Sequence, residues 1–292
     1  MPALGVVFRP QVPPEQLRAA AEAADAAGLD ELWLWEDCFR ESGIAAGAAA
    51  LAWTSRLAVG VGLLPVPLRN VAITAMELAT LHRLFPGRVV VGVGHGVQDW
   101  MGQVGARVES PLTLLLEQLD ALRELLAGRS VTTAGRYVRL EGVGLDWPPP
   151  QAPPVLVGAE GPRTLRLAGG HADGTILTGG TSPAQTTQAR ELIEEGRRQA
   201  GRRDPHPVTV YLPAATGTDA QSRVDAQTGS WGWPSSADRA AAGSVDAVAE
   251  QVARWAAAGA DAVILQPTED EPDPEAFVAF AAAVGRTVNH TD

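Results

Sequence analysis

The sequence predicts an α/β fold, a (β/α)8 TIM barrel, occupying residues 1–292 as one domain. Three observations predict it: eight short apolar runs, amphipathic helical segments between them, and glycines where those segments stop. Strands that alternate with helices build a parallel sheet covered by helices, and eight such units close on themselves. A chain of this length commonly surrounds one barrel core.

The apolar runs lie at 4–9, 31–36, 57–63, 88–94, 154–158, 172–178, 207–212 and 260–266. Their near-continuous Val, Leu and Ile content suits strands buried on both faces. Between them, Leu115, Leu119, Leu122 and Leu126 recur at helical spacing, as do Val245, Val248, Val252 and Trp255, so each stripe covers the barrel. Gly28, Gly87, Gly128 and Gly259 stand at or near helix ends, where glycine accepts the left-handed backbone that closes a helix.

Two segments interrupt this rhythm. Residues 131–154 hold VTTAGRYVRL and then DWPPPQAPP, a hairpin followed by a proline-stiffened return to the barrel. Residues 217–243, around TGSWGWPSS, are too irregular for one helix and read either as a lid or as a segment without fixed structure. The run GIAAGAAALAW presents an Ala and Gly surface that either packs within the chain or lets two copies approach closely, and a homodimer is expected from it.

Composition removes several function classes. No apolar stretch reaches the roughly 18 residues of a membrane-spanning helix, and the start of the chain lacks a secretory signal pattern. The expectation is a cytoplasmic protein with no membrane partner. Cys38 is the single cysteine, so there is no internal disulfide and no multi-cysteine metal site. His82, His171, His206 and His290 have no metal-ligand spacing, and no metal is expected. A net charge of −11 disfavours a nucleic-acid backbone as partner. All 23 basic residues are arginines, which excludes a Walker phosphate loop, a pyridoxal Schiff base and a lysine general base.

Active sites of such barrels form where strands end. That rule gathers Arg9, Glu36, Asp37, Cys38, Gly62, Leu63, His95, residues 158–161, Thr178 and Gln266 around one mouth. GAEGP at 158–162 ends a strand and opens a helix, so its amides either meet a phosphate at the positive helix end or merely start a helix at proline.

The segment TSRLAVGVGLLPVPLRNVAITAMELATLHRLFPGRVVVGVGHG resembles the central block of the luciferase-like monooxygenase superfamily, including its deazaflavin-dependent branch. PPVLVGAEGPRTLRLAGGHADGTIL looks like its second hallmark, and AAGADAVILQP is similar to its last barrel strand. The resemblance runs from about residue 4 to 284 and is weakest over 217–243. It implies cofactor phosphate contacts at Gly158, Ala159, Glu160 and Gly161; Thr178, from its place at the next strand end, is expected to bind the cofactor as well. It also implies a non-proline cis peptide at Gly62–Leu63 beneath the cofactor's middle ring.

WEDCF aligns with the superfamily's acid-histidine region, where relatives carry Asp-His or Glu-His-His and this chain has Glu36, Asp37 and Cys38. Cys38 is either a weak acid or a small packing residue. His95 is the best-placed titratable group for general acid work, or else a histidine hydrogen-bonded in a turn. Asp37 and Glu36 either orient substrate or cofactor or cap helices. The resemblance implies an oxidoreductase using a deazaflavin, coenzyme F420, to move a hydride to or from a small organic substrate. An FMN-dependent monooxygenase using oxygen and a flavin-binding barrel without turnover remain open beside it.

Overall fold

The computed structural model describes residues 1–233, 235 and 237–290. In chain order its strands are β1 (Ala3–Val7), β2 (Glu31–Leu34), β3 (Ala58–Pro65), β4 (Val89–Gly94), β5 (Val131–Ala134), β6 (Arg139–Val143), β7 (Val155–Gly158), β8 (Gly174–Leu177), β9 (Val208–Ala215), β10 (Ala241–Ala242) and β11 (Ala262–Pro267). Its helices are α1 (Leu17–Ala27), α2 (Gly43–Trp53), α3 (Val71–Leu84), α4 (Gln98–Gln103), α5 (Pro111–Leu126), α6 (Pro162–His171), α7 (Pro183–Ala200), α8 (Ala220–Ser230), α9 (Val245–Ala257) and α10 (Pro274–His290).

Strands β1, β2, β3, β4, β7, β8, β9 and β11 pair in that order, all parallel, and β11 pairs with β1 to close the barrel. These are the eight predicted runs. The antiparallel β5–β6 hairpin stands where VTTAGRYVRL predicts it, and β10 adds to the far end of β9.

Strand alternation divides the apolar residues between two cores. Outward side chains such as Val59, Val61, Val91 and Val157 meet helix stripes that include Leu115, Leu119, Leu122 and Trp255, all buried. Inside the barrel, Val7, Trp33, Leu156, Ile176, Tyr211, Ala262 and Ile264 form a separate cluster. The Val-Gly alternation of β3 and β4 follows from this geometry. A Cβ on Gly60 would lie 2.4 Å from the Trp33 indole, and one on Gly92 2.3 Å from Ile176 Cδ1. Interior glycines therefore admit a few large side chains that fill the barrel.

Glycines also set the approach of α6 to α7. A Cβ on Gly169 would lie 2.1 Å from the Ile193 carbonyl oxygen, and one on Gly196 2.0 Å from that of Arg166. Gly196→Ala gains about 1 kcal/mol of helix propensity, but the obstacle is backbone and cannot rotate away. Overpacking costs typically about 1–3 kcal/mol, so with a cost at the top of that range the net loss is about 2 kcal/mol, read as a lower denaturant midpoint at unchanged slope. A variant as stable as the parent would show that the two helices separate freely.

Two expectations change. Residues 217–243 are mostly ordered: α8 is held because Arg223 donates to Thr268 Oγ1 at 2.8 Å and pairs with Glu271 at 2.9 Å, while Gln227 Oε1 accepts the Glu269 N–H at 2.8 Å. Polar anchors to the loop after β11, rather than apolar periodicity, fix this helix, which is why it reads as irregular. Residues 234 and 236 of that stretch lie outside the described residues. Half of the small-residue surface of α2 is used inside the chain, since Gly43, Ala46, Gly47 and Ala50 are buried and a Cβ on Gly43 would lie 2.7 Å from Val61. Ala45 and Ala52 remain exposed on its other side.

Candidate active site at the barrel mouth

Trp33 faces the barrel interior and meets the edge of Tyr211 at a ring separation of 5.7 Å. Two residues on, Trp35 faces the same way, 5.6 Å from Tyr211 and beneath the Arg9 guanidinium at 5.5 Å. The period-two alternation then directs Asp37 toward the mouth and Glu36 away from it.

The neighbours of Glu36 agree with that direction. Its Oε1 accepts from Arg69 Nε at 3.0 Å and its Oε2 from Arg69 Nη2 at 2.7 Å, and Oε2 also takes the Gly43 N–H at the start of α2 at 2.9 Å. Arg69 reaches Glu77 at 2.5 Å as well. Burial alone would depress the Arg69 pKa, but hydrogen bonds and charge from Glu36 and Glu77 outweigh it and raise it. Glu36 is thus engaged in a clamp joining the end of β2, the start of α2 and the segment after β3.

Asp37 has no hydrogen-bond partner for its carboxylate among the described residues. Burial pushes its pKa above the ordinary aspartate range, and the Arg9 and Arg40 charges only partly oppose that. Arg9 is almost wholly buried and saturated: Nε donates to Gln11 Oε1 at 3.1 Å, Nη1 to the Pro267 carbonyl at 2.9 Å and Nη2 to Glu269 at 2.9 Å. Cys38 is a free, half-buried thiol whose pKa is pushed up by burial and then by the Glu36 and Asp37 carboxylates. It is a poorer acid than an ordinary thiol.

The Gly62–Leu63 peptide is cis, at the point where the β3–β4 register shifts between Gly62 and Leu64. The Cys38–Phe39 peptide is cis too. Tyr211 donates its hydroxyl to the Gly62 carbonyl at 3.1 Å. Leu63 leans across two strand ends, because a Cβ on Gly94 would lie 2.5 Å from its Cδ2 and one on Gly158 2.3 Å from the same atom. Gly158 therefore has a packing reason to be glycine.

In the loop from β7 to α6, the Ala159 N–H is committed to the Ile176 carbonyl at 3.0 Å, so it is not available to a phosphate. The amides of Glu160, Gly161, Arg163 and Thr164 meet no acceptor among the described residues, as the first turn of a helix requires. Thr178 Oγ1 donates to Glu160 Oε1 at 2.7 Å, tying the ends of β7 and β8. His95 sits beyond β4 with Nε2 3.2 Å from Thr164 Oγ1, in the first turn of α6. Burial lowers its pKa, a Pro111 backbone contact opposing. Its imidazole joins two mouth loops and stands on the side of the α6 amides.

Sequence reasoning did not single out Trp35, Arg69 or Tyr211. Tyr211 and Arg69 lie far in sequence from Gly62 and Glu36, and only strand parity counted from Trp33 would have separated Glu36 from Asp37. No cluster of metal-ligating side chains occurs among the described residues, and none of their helices is long and apolar enough to cross a membrane.

Residues 4–234 match the family model described as luciferase-like monooxygenase. The 5,10-methylenetetrahydromethanopterin reductase of Methanolobus tindarius is 32% identical over 216 residues, covering 74% of this chain and 65% of that protein. An F420-dependent glucose-6-phosphate dehydrogenase of Nakamurella multipartita is 31% identical over 207 residues, covering 66% of this chain and 61% of that protein. The match thus spans less than two thirds of these relatives' length. Among solved structures, an F420-dependent secondary alcohol dehydrogenase in complex with an F420-acetone adduct superposes with a TM-score of 0.86 at 21% identity, covering 99% of both chains. At that identity the likeness establishes the fold. With most of its length matched by the family model, the chain belongs to the luciferase-like monooxygenase family.

Proposed function

We propose that this chain, as one domain over residues 1–292, is a coenzyme F420-dependent oxidoreductase that moves a hydride between the deazaflavin and a small organic substrate at the barrel mouth. The observation that carries the reading is the coincidence of the family match with relatives named as F420-dependent. The local geometry fits such a group. Leu63, held over Gly94 and Gly158, offers an apolar ledge for a flat ring, and the unpaired amides of Glu160, Gly161, Arg163 and Thr164 can receive a phosphate at the positive end of α6. Bound there, the coenzyme supplies the hydride chemistry.

The chain's own residues then position and protonate. Tyr211 fixes the Gly62 carbonyl from below. Asp37, facing the mouth with a raised pKa, gives a proton to the substrate oxygen in reduction and takes it back in oxidation. His95, bonded to Thr164, orients the first turn of α6, and Thr178 with Glu160 fixes the neighbouring strand end. This moves the proton-handling role from His95 to Asp37, because burial lowers the His95 pKa and so disfavours the protonated imidazole that a general acid must supply. Cys38→Ala should keep at least half of the parent turnover, since its thiol holds its proton more tightly than usual. A loss of roughly 10²-fold, the size of a general acid's contribution, would restore Cys38 to the chemistry.

A homodimer belongs to the same proposal, supported now by the outer face of α3, where Ile73, Met76 and Leu84 are 51%, 56% and 65% exposed. Light scattering at micromolar concentration showing only monomer would remove it. A cytoplasmic location fits the lone free thiol.

Turnover separates the cofactor readings. Under argon, reduced F420 is expected to be oxidised in the presence of an organic acceptor, and air should not change that rate. Substrate-dependent oxygen uptake with FMN would replace this reading with the monooxygenase one, and binding without turnover across acceptors would favour a flavin-binding barrel.

A further inference from the structure

Strand β11 keeps the parity of the barrel interior. Ala262 and Ile264 belong to the inner cluster, so Gln266, two residues further on, projects into the mouth. The residue is 1% exposed, and its Nε2 meets no acceptor among the described residues. The amide oxygen lies against Gly179, just after β8, where a Cβ would come within 2.6 Å of it. That contact orients the amide, because an NH2 turned to the same Cα–H would set hydrogen against hydrogen. The nitrogen is left for the mouth.

Nearby groups offer this nitrogen nothing. Pro213, the register partner of Gln266 on β9, presents only a ring. Arg9 on β1 is itself a donor, already engaged with Gln11, the Pro267 carbonyl and Glu269. Two other fully buried side chains carry an unpartnered nitrogen, Arg197 and His206, but each keeps a bond through another atom, to the Asp204 carbonyl and to Thr175 Oγ1 respectively. A buried N–H without an acceptor works against folding. Gln266 bears that cost at the end of the barrel where ligands enter, and a bound ligand can supply the missing acceptor.

Its place on the wall separates the two candidate ligands. The ledge that Leu63 forms over Gly94 and Gly158 belongs to β3, β4 and β7, and β11 stands four strands from β4 in either direction around the barrel. Gln266 therefore faces that ledge from the opposite wall. Asp37, which handles the proton of the reacting group, follows β2, two strands from β11 with β1 and Arg9 between them. We infer that Gln266 is a specificity-determining residue whose amide N–H donates to an acceptor atom of the substrate, on a group separate from the one that gains or loses the hydride; this rests on the F420 reading above. The substrate is thus bifunctional. A compound with hydrocarbon at that point leaves the amide buried and unpaired, a far stronger ground for rejection than a missing apolar contact.

The test uses the full chain loaded with F420 and two probes of one shape, benzamide and isopropenylbenzene, in which C=CH2 replaces C=O and CH3 replaces NH2. Calorimetric titration reads the affinity of each. Gln266→Met should weaken benzamide roughly tenfold and leave isopropenylbenzene unchanged or tighter. Urea unfolding of the unliganded variant should give a midpoint at or above the parent's, because an unpaired buried amide has been replaced by a side chain of similar size that needs no partner. Gln266→Leu, equally without a donor, should repeat both results. Coenzyme titration of the parent is run first, and absent F420 binding overturns the functional reading together with this inference. With F420 bound, the inference alone is overturned if the parent does not bind benzamide, if benzamide affinity survives both substitutions, or if both probes weaken alike. Lower stability in both variants would make Gln266 a structural residue and overturn it as well.

Discussion

Asp37→Asn is expected to reduce kcat by roughly 10²-fold or more while leaving coenzyme affinity within a few-fold of the parent. The side chain is isosteric and keeps its place beside Trp35 and Arg9, but it cannot exchange a proton. Burial raises the carboxyl pKa against the partial opposition of Arg9 and Arg40, so the parent's reductive rate should fall as pH rises through that raised value, because reduction needs the protonated acid. The variant should lack that limb. Stability moves the other way. A carboxyl whose pKa is higher folded than unfolded contributes stability below its unfolded pKa and loses it as pH rises through the folded one. Above its raised pKa the ionised, half-buried Asp37 is therefore a burden, and there the Asn variant should be at least as stable as the parent. An Asn variant with parental kcat and the same pH profile would exclude Asp37 as the proton group.

The second large effect is on stability. Glu36→Gln should cost about 3 kcal/mol, the lower end of the range for removing one partner of a buried ion pair. The lower end applies because Arg69 keeps Glu77 and the two side chains retain 15% and 12% exposure. Lost with the charge are a two-point contact to Arg69 and much of the acceptor strength toward the Gly43 N–H. The control is Glu22→Gln, whose partner Arg18 is 63% exposed and whose effect should stay below about 1 kcal/mol. Urea unfolding of the two variants measures the difference. Unchanged stability together with abolished turnover would return Glu36 to the reacting centre.

How much was legible in the sequence depended on whether a residue's role is local. Parallel strands buried on both faces read as continuous apolar runs, so all eight barrel strands were visible, as were helix ends at Gly28 and Gly128, which adopt φ of 84° and 76°. The β3 bulge came through resemblance, and the structure places a cis peptide there. Helix α8 was not legible, because Arg223 and Gln227 anchor it to a loop some forty residues on. Glu36 and Asp37 are adjacent and chemically alike, and only a direction in space makes one a structural clamp and the other a mouth carboxylate. His95 illustrates the opposite limit: its position beyond β4 was readable, but its bond to Thr164 and its lowered pKa depend on a helix folded against it.

Which cofactor occupies the mouth decides between hydride transfer and oxygen chemistry. Purified apo-protein titrated with F420 and, separately, with FMN, each followed by fluorescence, measures that directly. Saturable F420 binding at least tenfold tighter than FMN, about 1.4 kcal/mol or more, is expected, weakened severalfold by His95→Ala through the first turn of α6. Saturable FMN binding with no F420 binding would contradict it.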